Sequence, residues 1–218
     1  MENINSKYYK PLEQMMSVRH QYMGNIISLN GRPNIYNFFK NRDILDLGCG
    51  TGKFLHNYYE LGATCYGVDL AKNFQFQNKK NYELINSNFQ DFLKKNKKKF
   101  DVIFIFEFLE HLSLSEREIL FKYLPKILKT NGMVFLSTLN RNKISTFMSI
   151  NIAENLLNLL PKNTHDPKLF LKPSEIRTLS NKNGLELLNV QGLSYNPLLK
   201  SFRLSEIDLI NYFATIKN

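Results

Sequence analysis

Nine residues constrain this chain more than any others: DLGCGTGKF, Asp46 to Phe54. Gly48, Gly50 and Gly52 stand at every second position, with an apolar run before them and a helical pattern after. A strand that ends in glycines and turns straight into a helix lets the backbone approach a ligand closely and aims the helix N-terminus at it. The rest of the chain follows the same grammar. DILDLG (43–48) reads as a short buried strand, KFLHNYYELG (53–62) as a helix closed by a glycine, and TCYGVD (64–69) and NYELINSNF (81–89) as the next two strands. KFDVIFIFEF (99–108) is almost wholly apolar, the pattern of a central parallel strand. SEREILFKYLPKILKTNG (115–132) reads as a helix with Ser115 as its cap and Gly132 past its end, and GMVFLSTLN (132–140) as a fifth strand. KPSEIRTLSNKNG (172–184) is a further helix, followed by two last strands, LELLNVQGLSY (185–195) and LINYFATIK (209–217). The alternation predicts a doubly wound, Rossmann-like α/β fold with a seven-stranded, mostly parallel sheet. A helical insert of about 142–172 follows the fifth strand. Residues 1–41 read as a polar, irregular cover segment with a helical patch near 13–27, and 42–218 as the one domain.

The net charge of +10 allows two explanations. One is a polyanionic partner, nucleic acid or an anionic membrane surface. The other is the coding bias of an AT-rich genome, since Asn and Lys recur together throughout. The lysines are scattered, with no basic stripe interleaved with aromatics, so nucleic acid is not expected as a partner. Cys49 and Cys65 fit no zinc spacing and no disulfide framework, which suits a reducing compartment. The opening residues resemble neither a signal peptide nor a transit peptide. No apolar run reaches the roughly 18 residues of a membrane span. The expectation is a soluble or peripheral protein.

Two cofactor classes use a glycine loop between a first strand and a first helix. The dinucleotide fingerprint is G-x-G-x-x-G, and here the residue between the second and third glycines is one short. Asp46 stands two places before the first glycine, and Asp69 ends the second strand, where a ribose diol would lie. With those carboxylates in place, the stretch resembles the first motif of the class I S-adenosylmethionine-dependent methyltransferases. The resemblance implies S-adenosylmethionine as cofactor, with Asp46, Gly48, Gly50, Gly52 and Asp69 around it.

FIFEFLEHL (104–112) follows the fourth strand, at the sheet end where such folds bind ligands. If it turns helical at Glu107, then Glu107, Glu110 and His111 share one face. Such a set is able to hold a divalent cation such as magnesium, which would lower the pKa of a catechol hydroxyl. The alternative is that the pattern caps a helix and lines the pocket without metal.

The second half narrows the family. FLSTLNRN (135–142), LLPKNTHDPKLFLKPSE (159–175), GLSYNPL (192–198) and FRLSEIDLINYFATIK (202–217) resemble the ubiquinone-biosynthesis O-methyltransferases, from about Leu12 onward. The resemblance implies an enzyme that methylates the ring hydroxyl of polyprenylated catechol and phenol intermediates. It implies Arg19, Gly48, Asp69 and Phe106 as cofactor contacts, with Arg19 on the methionine carboxylate. The resemblance also places Asn88 beside the adenine, with Asn88 and Gln90 standing where related chains often carry acidic residues. The resemblance also implies Glu107, Glu110 and His111 as metal ligands. His111 or His165 would serve as general base, against the plain alternative of a structural histidine. Ile144, Phe147, Met148, Ile152, Leu156, Leu159 and Leu160 would form either ordinary core or a lid that meets the bilayer and receives the lipid tail. The expected setting is the cytoplasmic, inner face of the membrane, as a peripheral protein, with other quinone-biosynthesis proteins as further partners. Rival readings are a class I methyltransferase acting on RNA or another small molecule, and a non-catalytic scaffold of the same fold. LAKNFQFQNKKN, between Asp69 and Tyr82, is too short for the helix that usually separates strands two and three.

Overall fold

The computed structural model describes residues 6–31, 34–142, 145, 166–196, 201–208 and 210–218, with backbone alone for 6–14. Among these residues eight strands form one sheet. They are β1 (Asp43–Leu47), β2 (Thr64–Asp69), β3 (Tyr82–Asn86), β4 (Phe100–Phe106), β5 (Leu128–Leu139), β6 (Glu186–Asn196), β7 (Ser201–Ser205) and β8 (Asn211–Lys217). Their order is β3-β2-β1-β4-β5-β8-β6-β7. β1 to β5 pair in parallel, β8 runs antiparallel between β5 and β6, and β7 is antiparallel to β6. The chain winds outward from β1 to β3 and returns to β4 beside β1. The crevice at that reversal is where open α/β sheets place ligands.

Side chains alternate across the strands, and the helices divide accordingly. Met133 and Phe135 of β5 face a core shared with α1 (Ser6–Leu29), α2 (Ile35–Phe39) and α3 (Lys53–Glu60). Val134 and Leu136 face the opposite core, shared with α4 (Phe89–Lys95), α5 (Leu114–Ile127) and α6 (Pro173–Lys182). α1 is part of the packed structure rather than an irregular stretch. Its Val18, Tyr22, Met23, Ile26 and Ile27 are buried. Tyr22 stacks on Phe213 at 5.0 Å between centroids, and its hydroxyl shares a 2.7 Å hydrogen bond with Thr215.

The structure corrects further sequence expectations. The sheet has an eighth strand, β7, because Phe202 and Leu204 find an apolar cover in the core that α1 completes. α5 is capped by Ser113, not Ser115: Glu116 Oε2 accepts from the Ser113 N–H at 2.8 Å, and Glu116 N–H donates to Ser113 Oγ at 3.4 Å. This is the reciprocal Ser-x-x-Glu box. α5 ends at Ile127 rather than running to Gly132, because Leu128 leaves it to pair with Phe100. The third strand stops at Asn86, and Asn88 then starts α4 by accepting from Gln90 N–H at 2.8 Å.

The stretch between β2 and β3 carries no helix, as its length predicted. It is held instead by Gln75 N–H on the Thr51 carbonyl at 2.9 Å and by Phe76 stacked on His56 at 3.9 Å. Of the expected insert, residues 143–144 and 146–165 lie outside the described residues.

Candidate functional site

The glycine loop leaves β1 with three left-handed residues, Gly48 (φ 80°), Gly50 (φ 55°) and Gly52 (φ 83°). Side chains are disfavoured there by about 1–2 kcal/mol each. The three differ in what surrounds them. A Cβ on Gly48 would lie 2.6 Å from Phe108 Cδ2, and one on Gly52 would lie 2.8 Å from the Tyr82 hydroxyl. A Cβ on Gly50 would meet no atom within 4 Å. Gly48 and Gly52 therefore serve the packing of the loop, while Gly50 borders open space. Asp69, at the end of β2, fixes the loop from the side. Its Oδ2 accepts from Gly50 N–H at 2.8 Å and its Oδ1 from Ala71 N–H at 2.7 Å. Each oxygen keeps accepting capacity beyond these bonds, to which a diol can donate.

Arg19 reaches this end of the sheet from α1. Its guanidinium carbon lies 4.7 Å from the Phe106 ring centroid and 5.1 Å from that of Phe54, and it forms an ion pair with Glu107. Burial lowers the Arg19 pKa to about 10, against the opposing pull of Asp46, Tyr58 and Glu110. The pKa of Asp46, 4% exposed, is raised to about 7 by burial, with Arg19 pulling it down and Asp69 pushing it up. The structure thus gathers a guanidinium and a carboxylate beside the glycine loop. Arg19 Nε is buried with no hydrogen-bond partner, a donor still free to receive an acceptor. An amino-acid end fits this pair, carboxylate to Arg19 and ammonium to Asp46, and a ribose fits Asp69. On that chemistry the residues suit S-adenosylmethionine. Asn88 is placed differently from the expectation that it flanks an adenine: its side-chain oxygen is committed to capping α4.

The expected metal set does not assemble. Glu107 has φ 46°, so the chain is not helical there, and the short 3-10 turn begins only at Leu109 (Leu109–His111). Glu107 Oε1 accepts from the Ser137 hydroxyl, while Glu110 Oε2 accepts from the Thr138 hydroxyl at 2.8 Å. Ser137 and Thr138 are neighbours on β5 and point to opposite faces of the sheet. Glu107 therefore stays on the α1 side with Arg19, and Glu110 is buried on the α5 side, its pKa raised to about 7 by that burial. His111 is exposed. Among the described residues no group of three or more His, Cys, Asp or Glu side chains is close enough to hold a metal ion. His165 lies outside the described residues.

Four contributors were not singled out from the sequence. Phe54 and Phe108 flank Arg19 and Gly48, and Ser137 and Thr138 hold the two glutamates. The signal for the last two was present: adjacent hydroxyls ending a strand that pairs beside a Glu-x-x-Glu turn.

A family profile described as a methyltransferase domain matches residues 19–190. The fold aligns with magnesium protoporphyrin IX methyltransferase from Synechocystis PCC 6803 with bound SAH (TM-score 0.62, 13% identity, 100% of this chain and 88% of that one). It aligns equally with a SAM dependent methyltransferase from Archaeoglobus fulgidus (TM-score 0.62, 18% identity, 97% of this chain and 100% of that one). Sheet order, glycine loop and profile together define an S-adenosylmethionine-dependent methyltransferase. A ubiquinone biosynthesis O-methyltransferase of Coxiella burnetii (strain RSA 331 / Henzerling II) is 35% identical over 94% of this chain and 85% of its own length. One of Pelagibacter ubique (strain HTCC1062) is 36% identical over 96% and 90%. This chain belongs to the ubiquinone biosynthesis O-methyltransferase family.

Proposed function

We propose that the chain methylates a ring hydroxyl of polyprenylated catechol or phenol intermediates on the way to ubiquinone. The observation that carries the reading is the gathering of Arg19, ion-paired with Glu107, and the buried carboxyl of Asp46 beside the Asp69-braced glycine loop, in a chain whose relatives bear that pathway's name. S-adenosylmethionine supplies an electrophilic methyl group on a sulfonium. Arg19 would bind its carboxylate, Asp46 its ammonium group and Asp69 its ribose hydroxyls, with Gly50 letting the backbone come close. Phe54 and Phe106 keep Arg19 in place and keep water from it. The acceptor hydroxyl has to lose a proton as its oxygen attacks, and His111 and His165 are the imidazoles proposed to take it. Holding both reactants in line is worth roughly 7–11 kcal/mol, the largest share of the work asked of the protein.

The acceptor's lipid tail favours a peripheral position on the cytoplasmic face of the membrane, with the 142–172 segment as the contact and other quinone-pathway enzymes as neighbours. Among the described residues no helix is long and apolar enough to cross a membrane. The test is a methyl-transfer assay with a short-tailed demethylubiquinol and the matching 2-polyprenyl-6-hydroxyphenol, with and without chelator. Transfer to either acceptor is expected, unchanged by chelator. Transfer to neither removes the quinone reading. Loss of activity on chelation would restore a metal role to the Glu107–His111 turn.

A further inference from the structure

Arg117, on α5, is 1% exposed, and among the described residues it makes no salt bridge. Glu175 and Glu110 are near enough to favour its charge, yet taking that charge so far from water is costly, and an apolar side chain of similar volume would fill the space without the cost. What the guanidinium adds is a rigid fork of donors at fixed spacing. Its Nε–H donates to the Leu109 carbonyl at 3.0 Å, and Nη2 donates to the Leu169 carbonyl. Leu109 opens the turn that follows β4, whose Glu110 is held by Thr138 at 2.8 Å. Leu169 closes a second 3-10 turn, Pro167–Leu169, capped by Asp166. That second segment is also tied to the site end of the sheet. Leu171 N–H donates to the Leu139 carbonyl at 3.0 Å, and the Tyr212 hydroxyl donates to the Leu171 carbonyl at 3.2 Å.

These bonds meet at the carboxyl end of β5, yet none touches the glycine loop, Asp69 or Arg19. We propose that Arg117 is a positioning residue for the acceptor: by clamping the turn after β4 to the segment that follows the insert, it sets the acceptor side of the site through hydrogen bonds separate from those that hold the cofactor side. Thr164 and His165 immediately precede the clamped segment in sequence. The inference rests on the acceptor reading given above. Its clamp component does not.

The test uses Arg117→Lys, which keeps the charge and one donor direction, and Arg117→Gln, which removes the charge. Calorimetry with S-adenosylhomocysteine is expected to give affinities within about twofold of the parent, since no cofactor contact changes. With the short-tailed quinol acceptor, kcat/KM is expected to fall roughly ten- to a hundredfold, less in the lysine variant. Hydrogen exchange is expected to quicken at 109–112 and 166–171 together. Parent-like acceptor kinetics in a folded variant would overturn the assignment. So would equal losses of cofactor affinity and acceptor turnover, or failure of both variants to fold, each of which marks Arg117 as structural only. If the parent enzyme methylates no quinol acceptor, the functional reading falls. Separate rather than joint exchange of the two segments would then still overturn the clamp.

Discussion

Asp46→Asn should stabilise the fold at alkaline pH while weakening cofactor binding. Burial raises the Asp46 carboxyl from 3.8 to about 7, Arg19 notwithstanding. A carboxyl that holds its proton more tightly in the fold than in the open chain favours the fold at low pH. That advantage disappears as pH rises from the unfolded value through the folded one. Each tenfold change in proton affinity is worth about 1.4 kcal/mol, so the charged form costs the fold on the order of 4 kcal/mol by about pH 8. About 1.5 kcal/mol of this is already present near pH 5. Asparagine, with nearly the same shape and no charge, abolishes the cost at every pH. The stability difference between variant and parent should therefore grow by roughly 2–3 kcal/mol between about pH 5 and pH 8, in favour of the variant. Glu110, also raised to about 7, titrates in both proteins and cancels from the comparison. Urea unfolding at a series of pH values reads this directly, and calorimetry with S-adenosylmethionine should show weaker binding by the more stable variant. A difference independent of pH would show that Asp46 does not carry a buried charge, and the electrostatic account of the site would fail with it.

Arg19→Met strips the guanidinium from between Phe54 and Phe106, leaves Glu107 without its ion partner and lets Asp46 rise further. Loss of a charge-assisted contact worth about 1.5–3 kcal/mol should raise the Kd for S-adenosylhomocysteine roughly ten- to a hundredfold, and an unchanged Kd would remove Arg19 from the cofactor site. Gly48→Ala combines a φ of 80° with a 2.6 Å approach to Phe108, so denaturation should register a loss of about 2–4 kcal/mol. Gly50→Ala meets no atom within 4 Å, so it should lose only about 1–2 kcal/mol of stability, and its main effect should fall on cofactor affinity. Ser113→Ala removes one half of the capping box on α5 and should lower stability by about 1 kcal/mol with kinetics intact, measured by thermal melting beside the methyl-transfer assay.

The parallel half of the sheet and the glycine loop were legible from residue order alone. Their information is local: β1 runs directly into Gly48, the apolar run of β4 demands burial on both faces, and Asp69 ends the strand that pairs beside β1. A strand's two-residue period and a glycine's left-handed φ are properties of a few consecutive residues, and pattern reading reaches them. The Ser113 cap was equally local, through its Glu116 partner three places on, and it was obscured only by the serine at position 115.

The tertiary structure decided what depends on partners distant in sequence. That β7 is a strand follows from the apolar cover that α1 helps to supply, which no property of SFRLS reveals. Arg19 lies at the site because α1 packs by Tyr22 against Phe213, on the face that also holds Glu107. The separation of Glu107 from Glu110 was decided in the same way. Helical spacing would have joined them on one face, but the hydroxyls of Ser137 and Thr138 point to opposite sides of a single strand and take one carboxylate each. The sequence by itself determined the fold class and the loop that meets the cofactor, because both are written in short-range periodicity. Which charges face each other across that loop was settled only when β5, α1 and α5 came together around the end of β4, since the energy of a buried charge depends on its neighbours in space.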